Sequence, residues 1–148
     1  MGHLRKQIGA LAVSRVTGLA TTGANVFQNR VTPIAASQLP ALSVSIGDET
    51  IQRMSMGTPR RLERGPQIHF DLITAEGDTS ADTLSDMLEE VEAALAPGSW
   101  MDALLFDIVP VAISEIYDGA GTKIAGQIRI TYQAEYQTAE GAPGTALS

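Results

Sequence analysis

The chain of 148 residues has no cysteine. That excludes disulfides, thiolate metal sites and cysteine nucleophiles. Histidine is almost as scarce. His3 lies at the start, and His69 stands alone in a strand-like stretch, where a histidine is far more often a surface or packed residue than a metal ligand. Aromatic residues make up 5% of the chain against 44% hydrophobic residues overall, so the core must be aliphatic. The single tryptophan, Trp100, follows "APGS" at a helix end and reads as a core plug or an interface anchor. No apolar run reaches the ~18–20 residues needed to span a bilayer. The opening "MGHLRKQIGA" is charged and does not read as a secretory signal. Lys6 stands where a myristoylation motif needs Ser or Thr. The sequons at Asn25 and Asn29 are incomplete, because Phe27 and Val31 replace the hydroxyl residue. The lack of cysteine fits a reducing cytosol, and no membrane partner is expected.

Catalytic and cofactor motifs are missing as well. Gly18 and Gly23 have phosphate-loop spacing, but Ala24-Asn25 stand where Lys-Ser/Thr is required, so no side-chain charge meets a β- or γ-phosphate. "GAGTKIAG" precedes a strand rather than a helix, so no helix N-terminus faces an anion there. There is no Gly-x-Ser-x-Gly elbow. The carboxylates mostly decorate a helix surface, and none stands out for acid–base work. No catalytic, cofactor-binding or metal-binding residue is expected, and the chain is not expected to be an enzyme. A pI near 4.7 argues against tight, sequence-specific binding of nucleic acid.

What the chain does have is an uneven charge. The net charge is −7. Residues 1–64 carry eight basic and three acidic residues, and residues 65–148 carry two basic and fourteen acidic ones. Between Glu76 and Asp118 there are eleven acidic residues and no basic one. Unlike faces on one molecule suit head-to-tail self-association. Four of the ten basic residues, Arg53, Arg60, Arg61 and Arg64, gather around "MSMGTPRRLERGPQ". Gly57, Pro59, Gly65 and Pro66 bracket that stretch, so it reads as a hairpin loop that need not pack on its own domain. The arginine fork pairs bidentately with carboxylates, which makes these four residues the candidate contact with a neighbouring chain.

The length fits one domain, long enough to bury roughly 68–70% of its unfolded surface. In "HLRKQIGALAVSRVTGL", Leu4, Ile8, Leu11, Ala12, Val16 and Leu19 follow helical spacing, with Gly18 as the stop. "NVFQNRV" reads as a short strand, and "TPIAASQLP" as a proline-punctuated connector. "ALSVSIG" alternates as a half-buried strand. Gly47-Asp48 reads as a turn into a further strand over 49–56, which would pair with 67–75 across a long loop at about 54–66. "GDTSADTLSDMLEEVEAALAPG" is an amphipathic helix capped by Asp78, Thr79 or Ser80, with an apolar stripe of Leu84, Met87, Leu88, Val91, Ala94 and Leu95. Pro110 in "LLFDIVPVAISEIYDG" marks an edge strand or a bulge, and "GAG" at 119–121 a turn. In "KIAGQIRITYQAEYQT", Ile124, Gly126, Ile128, Ile130, Tyr132, Ala134 and Tyr136 share one face and polar residues the other. Residues 1–138 are expected to form one domain, and 139–148 a flexible tail. The fold class is α+β: a mixed, mainly antiparallel sheet with two α-helices packed on one face.

The run "TGLATTGANVFQNRVTPIAASQLPALSVSIGDE", the opening "HLRKQIGALAVSRV" and the ending "AGQIRITYQAEYQTAEG" resemble the tail terminator, or head–tail completion, proteins of long-tailed bacteriophages (the minor tail protein U-like family). The resemblance covers roughly residues 3–140 and is weakest at 52–66. It rests on order and spacing rather than on one diagnostic motif. It implies a mixed sheet with two helices and a ring, usually of six subunits, at the head–tail junction of the virion. Such a ring caps the tail tube, ends its polymerisation and offers a surface to the head–tail connector. Genomic DNA passes through its lumen. Two other classes fit the same residues: another ring component of the tail, such as a tube or adaptor protein, and a small phage-encoded enzyme.

Overall fold

The computed structural model describes residues 3–19, 26–28, 41–57, 59–74, 80–96, 98, 105, 107–118 and 125–146. Its elements are α1 (Leu4–Val16), β1 (Val26–Gln28), β2 (Ala41–Arg53), β3 (Arg61–Thr74), α2 (Ser80–Ala94), β4 (Asp107–Asp118), β5 (Ala125–Ala139) and β6 (Ala142–Ala146). One sheet runs β1-β2-β3-β5-β4, and β6 pairs with β5. β1 is parallel to β2, and every other pairing is antiparallel. The α+β class and the mixed, mainly antiparallel sheet agree with the sequence reading.

α1 buries Leu4, Ile8, Ala12 and Val16, a strict four-residue spacing that keeps one stripe inward. His3 caps it, its Nδ1 accepting from the backbone N–H of Arg5 at 3.0 Å. Gly18 follows the helix at φ 88°, where a side chain would be strained. α2 buries Leu84, Met87, Val91 and Leu95 and exposes Asp82, Asp86, Glu89 and Glu92. Its last turn is met by Arg15 of α1, whose Nε donates to the Ala94 carbonyl at 2.6 Å. A cation there satisfies a free carbonyl and opposes the negative end of the helix dipole. Asp78, Thr79, the Ser80 side chain, Trp100, the connector at 32–40 and the turn at 119–121 lie outside the described residues.

The sheet face toward the core follows from register. Leu72 lies opposite Ile128, Phe70 opposite Ile130 and Ile68 opposite Tyr132, so these side chains share a face. The Phe70 and Tyr132 rings meet edge to face, with centroids 5.5 Å apart. Both helices join these residues, with Leu42 and Val44 of β2, in one hydrophobic cluster. The expected inward face of β5 holds from Ile128 to Tyr136. Pro110 sits on a terminal strand of the sheet and also at a register shift, between Pro110 and Ala112. A residue without an N–H is tolerated in both settings.

Three expectations fail. Gly47-Asp48 is not a turn. β2 runs unbroken from Ala41 to Arg53, and the shift between Ile46 and Glu49 is a β-bulge. Glycine is needed there because a Cβ at position 47 would collide with the His69 ring on β3. The loop does not extend to residue 66. β3 begins at Arg61, pairing with Ala139, and so includes Gly65 and Pro66. The segment 139–148 is not a loose tail as far as it is described. The chain reverses at Gly141, φ 85°, and β6 returns along β5. There the Gly144 carbonyl accepts from Gln7 Nε2 of α1 at 3.1 Å.

Ile130 is fully buried, whereas the Arg129 side chain is 40% exposed on the opposite face. Urea unfolding should show Ile130→Ala losing about 2–5 kcal/mol and Arg129→Ala about 0–1 kcal/mol. Equal losses would mean that the faces of β5 are reversed.

Candidate functional site

β3 and β5 are 14 and 15 residues long, about 46–50 Å of strand. α1 and α2 have 13 and 15 residues, only about 20–23 Å of helix. Each helix is thus about half as long as these strands, and among the described residues the exposed apolar side chains of β2 and the turn after it, Ile51, Met54 and Met56, lie at one end of the sheet. That end is built by the hairpin of β2 and β3, whose tip spans residues 54–60. The four arginines named from the sequence lie here, but not as one patch.

Arg64 points inward. It lies on β3 opposite Ile51 and Tyr136, and its side chain is 11% exposed. Nη1 donates to Glu49 Oε2 at 3.2 Å and Nε to Thr138 Oγ1 at 3.0 Å. The other oxygen of Glu49 accepts from the Tyr136 hydroxyl at 3.0 Å. Burial, with the Glu49 carboxylate next, pushes the Tyr136 hydroxyl well above its ordinary range, so it remains a donor. Arg5 of α1 completes the group. Its guanidinium lies 3.8 Å from Glu49 and donates to the Ile46 and Gly47 carbonyls at 3.1 and 2.7 Å. Both carbonyls lie at the bulge. The role of Arg64 is thus filled within its own chain, and the expectation that it lies on a loop is corrected.

The other three are nearer the surface. Arg60 ends the tip and pairs with Glu140 at 3.1 Å, while its carbonyl accepts the Glu140 N–H at 2.7 Å. Arg61 opens β3, its Nε donating to Gln137 Oε1 at 2.5 Å. The tip is closed by Met54 N–H to the Arg61 carbonyl at 2.8 Å and by Arg61 N–H to Ser55 Oγ at 2.8 Å. Arg53 ends β2, is exposed, and forms no ion pair among the described residues. Beside it Ile51, Met54 and Met56 are 55%, 49% and 81% exposed.

A second apolar surface lies on β4. Val109, Val111 and Ile113 are 45%, 53% and 51% exposed. β4 ends the sheet order, so its outer backbone edge has no strand partner among the described residues. The sequence pointed here weakly: "DIVPVAI" is an apolar run with no alternation, and that is the mark of a strand contacted on more than one side.

Carboxylates gather next to this surface. Asp107 lies opposite Glu135, and Glu63 lies on β3 opposite Gln137, two residues beyond Glu135. Glu63 and Glu135 line a polar cleft of about 150 Å³ with Thr50, Gln52 and Gln133. The Glu135 carboxyl is raised above its ordinary range, first by desolvation, then by a hydrogen bond to Glu63 and by the charges of Glu63 and Asp107. On the same face Arg129 grips Asp71 at 2.6 and 3.1 Å, and His69 Nδ1 meets Thr131 Oγ1 at 3.0 Å. Burial, then the Arg129 charge, lowers the His69 pKa. Among the described residues no group of three His, Cys, Asp or Glu is placed to hold a metal ion, and no helix is long and apolar enough to cross a membrane.

The pH consequence of the Glu135 shift has a definite sign. A carboxyl raised in the folded state binds its proton more tightly there than when unfolded. Its stabilising contribution is complete below the ordinary value of 4.5 and is lost as pH rises through the raised value. Glu135→Gln should therefore melt at a higher temperature than the parent at pH 8, and the gap should close as pH falls below 4.5. A lower melting temperature for the variant at pH 8 would contradict this reading of the cluster.

No protein-family description and no curated protein matches the sequence. Among solved structures, a chain from one described as the virion of a native gene transfer agent (GTA) particle aligns with 90% of this chain and 92% of its own length, at 16% identity and a TM-score of 0.46. A likeness of that degree does not bear on function.

Proposed function

We propose that this protein is a non-catalytic structural subunit of a bacteriophage virion. Copies of it close head to tail into a ring, usually of six, at the top of a long tail. The ring caps the tail tube, ends its polymerisation and presents a surface to the head–tail connector, while genomic DNA passes through the lumen without sequence-specific contact. The family assignment comes from the resemblance over residues 3–140. The observation that carries the ring is the pair of unlike exposed surfaces at different places on one sheet: the basic, methionine-bearing tip of the β2–β3 hairpin and the β4 edge beside acidic residues. A molecule with two complementary, non-identical surfaces makes heterologous contacts, and these close into a ring when the rotation allows. Both helices contribute to the single hydrophobic cluster, and in this reading the opposite, polar face, with Asp71–Arg129 and His69–Thr131, lines the aqueous passage.

The long strands β2, β3 and β5 also favour a second reading, in which the protein is a tube or adaptor ring of the same tail. The two roles differ in what added protein does to growing tubes. Mixed with polymerising tube protein from the same phage, a terminator stops elongation, and electron micrographs show short tubes that fail to extend when fresh subunits are supplied. Tubes that continue to lengthen, or filaments formed by this protein itself, overturn the capping role.

A further inference from the structure

We infer that the tip of the β2–β3 hairpin of one copy seats on the β4 edge of the next, Ile51, Met54 and Met56 covering Val109 and Val111 while Arg53 reaches the carboxylates of Glu135 and Asp107. The inference rests on the ring reading and names the contact that would build it. The occupant is a second copy because the two surfaces match in both apolar character and charge. The tip segment from Ile51 to Arg61 contains three arginines and no acidic residue. The surface by β4 contains three mutually repelling carboxylates, Asp107, Glu135 and Glu63, and no arginine or lysine pairs with them among the described residues. An incoming guanidinium would relieve that repulsion, and Arg53 is exposed and forms no ion pair of its own among the described residues.

The geometry favours docking by side chains over extension of the sheet. Pro110 cannot donate to a further strand, and the register shift between Pro110 and Ala112 breaks the edge ladder where another strand would pair. Val111 is the extra residue of that bulge, and its side chain is exposed at the edge. Methionine suits the opposing role, because its unbranched, polarisable chain fills irregular apolar ground.

The lack of native cysteine makes a clean test possible. Met56→Cys and Val111→Cys are made singly and together, and circular dichroism checks that each folds. Light scattering under reducing conditions reports the assembly. After oxidation, the double variant should run on non-reducing gels as a ladder ending at the size of the ring, and each single variant should run as a monomer. Assembly without a ladder overturns this contact and leaves the ring standing. A covalent dimer of Met56→Cys alone indicates a tip-to-tip contact and also overturns it. A monomer before oxidation overturns the ring itself. As a second measurement, Val111→Arg should keep the parent melting profile of the isolated subunit and lose the assembly; retained assembly contradicts the inference.

Discussion

The pairing of β3 with β5 is the constraint on which the rest depends. It runs from Arg61 opposite Ala139 to Thr74 opposite Gly126, far longer than either helix can roof. Over the first part of that length the solution is an ordinary one. Apolar side chains from β2, β3 and β5 meet the stripes of α1 and α2, and area removed from water supplies the stability at roughly 25 cal/mol per Å². Toward the hairpin tip the cluster of described apolar residues ends. The chain must then either close the core face with polar groups or leave it bare, and it does both in succession.

The closing group is the Glu49–Arg64 pair with Tyr136, Thr138 and Arg5. It depends on the bulge at Ile46–Glu49, which adds one residue to β2 and changes which of its residues share a face with Arg64. Desolvating two charges is costly, and attraction offsets the cost only where the remaining donors and acceptors are also satisfied. Here Thr138, Tyr136 and the bulge carbonyls take those bonds. Through Arg5 the group ties β2 and β3 to α1. Past it lie Ile51, Met54 and Met56, exposed where no part of the described chain covers them.

The sequence was most legible where a single periodicity governed a whole element. Helical spacing located α1 and α2, and alternation located the inward face of β5. A lone proline pointed to an edge position or a bulge in β4, and β4 has both. It was least legible where pairing partners decide the outcome. Gly47-Asp48 has the composition of a turn, and only the register against β3 makes it a bulge. "APGTA" has no periodicity, since β6 is held by backbone pairing and by Gln7 rather than by an apolar face. The inward direction of Arg64 could have been read. Counting back by twos from Leu72 through Phe70 and Ile68 reaches Pro66 and then Arg64, all in the buried phase. Gly65-Pro66 concealed this by looking like the end of a loop.

The functional account follows from the same mismatch of lengths. A long hairpin presents an arginine- and methionine-bearing tip, and a bulged edge strand presents valines beside carboxylates that pair with no arginine or lysine among the described residues. Neither surface matches itself, which is why the proposed contact is heterologous rather than two-fold. The most direct measurement is class averaging of electron micrographs of the purified protein at moderate salt. The account predicts closed rings of one size with rotational symmetry and a central hole wide enough for duplex DNA. Particles of 15.6 kDa with no hole, or two-fold dimers, would contradict it.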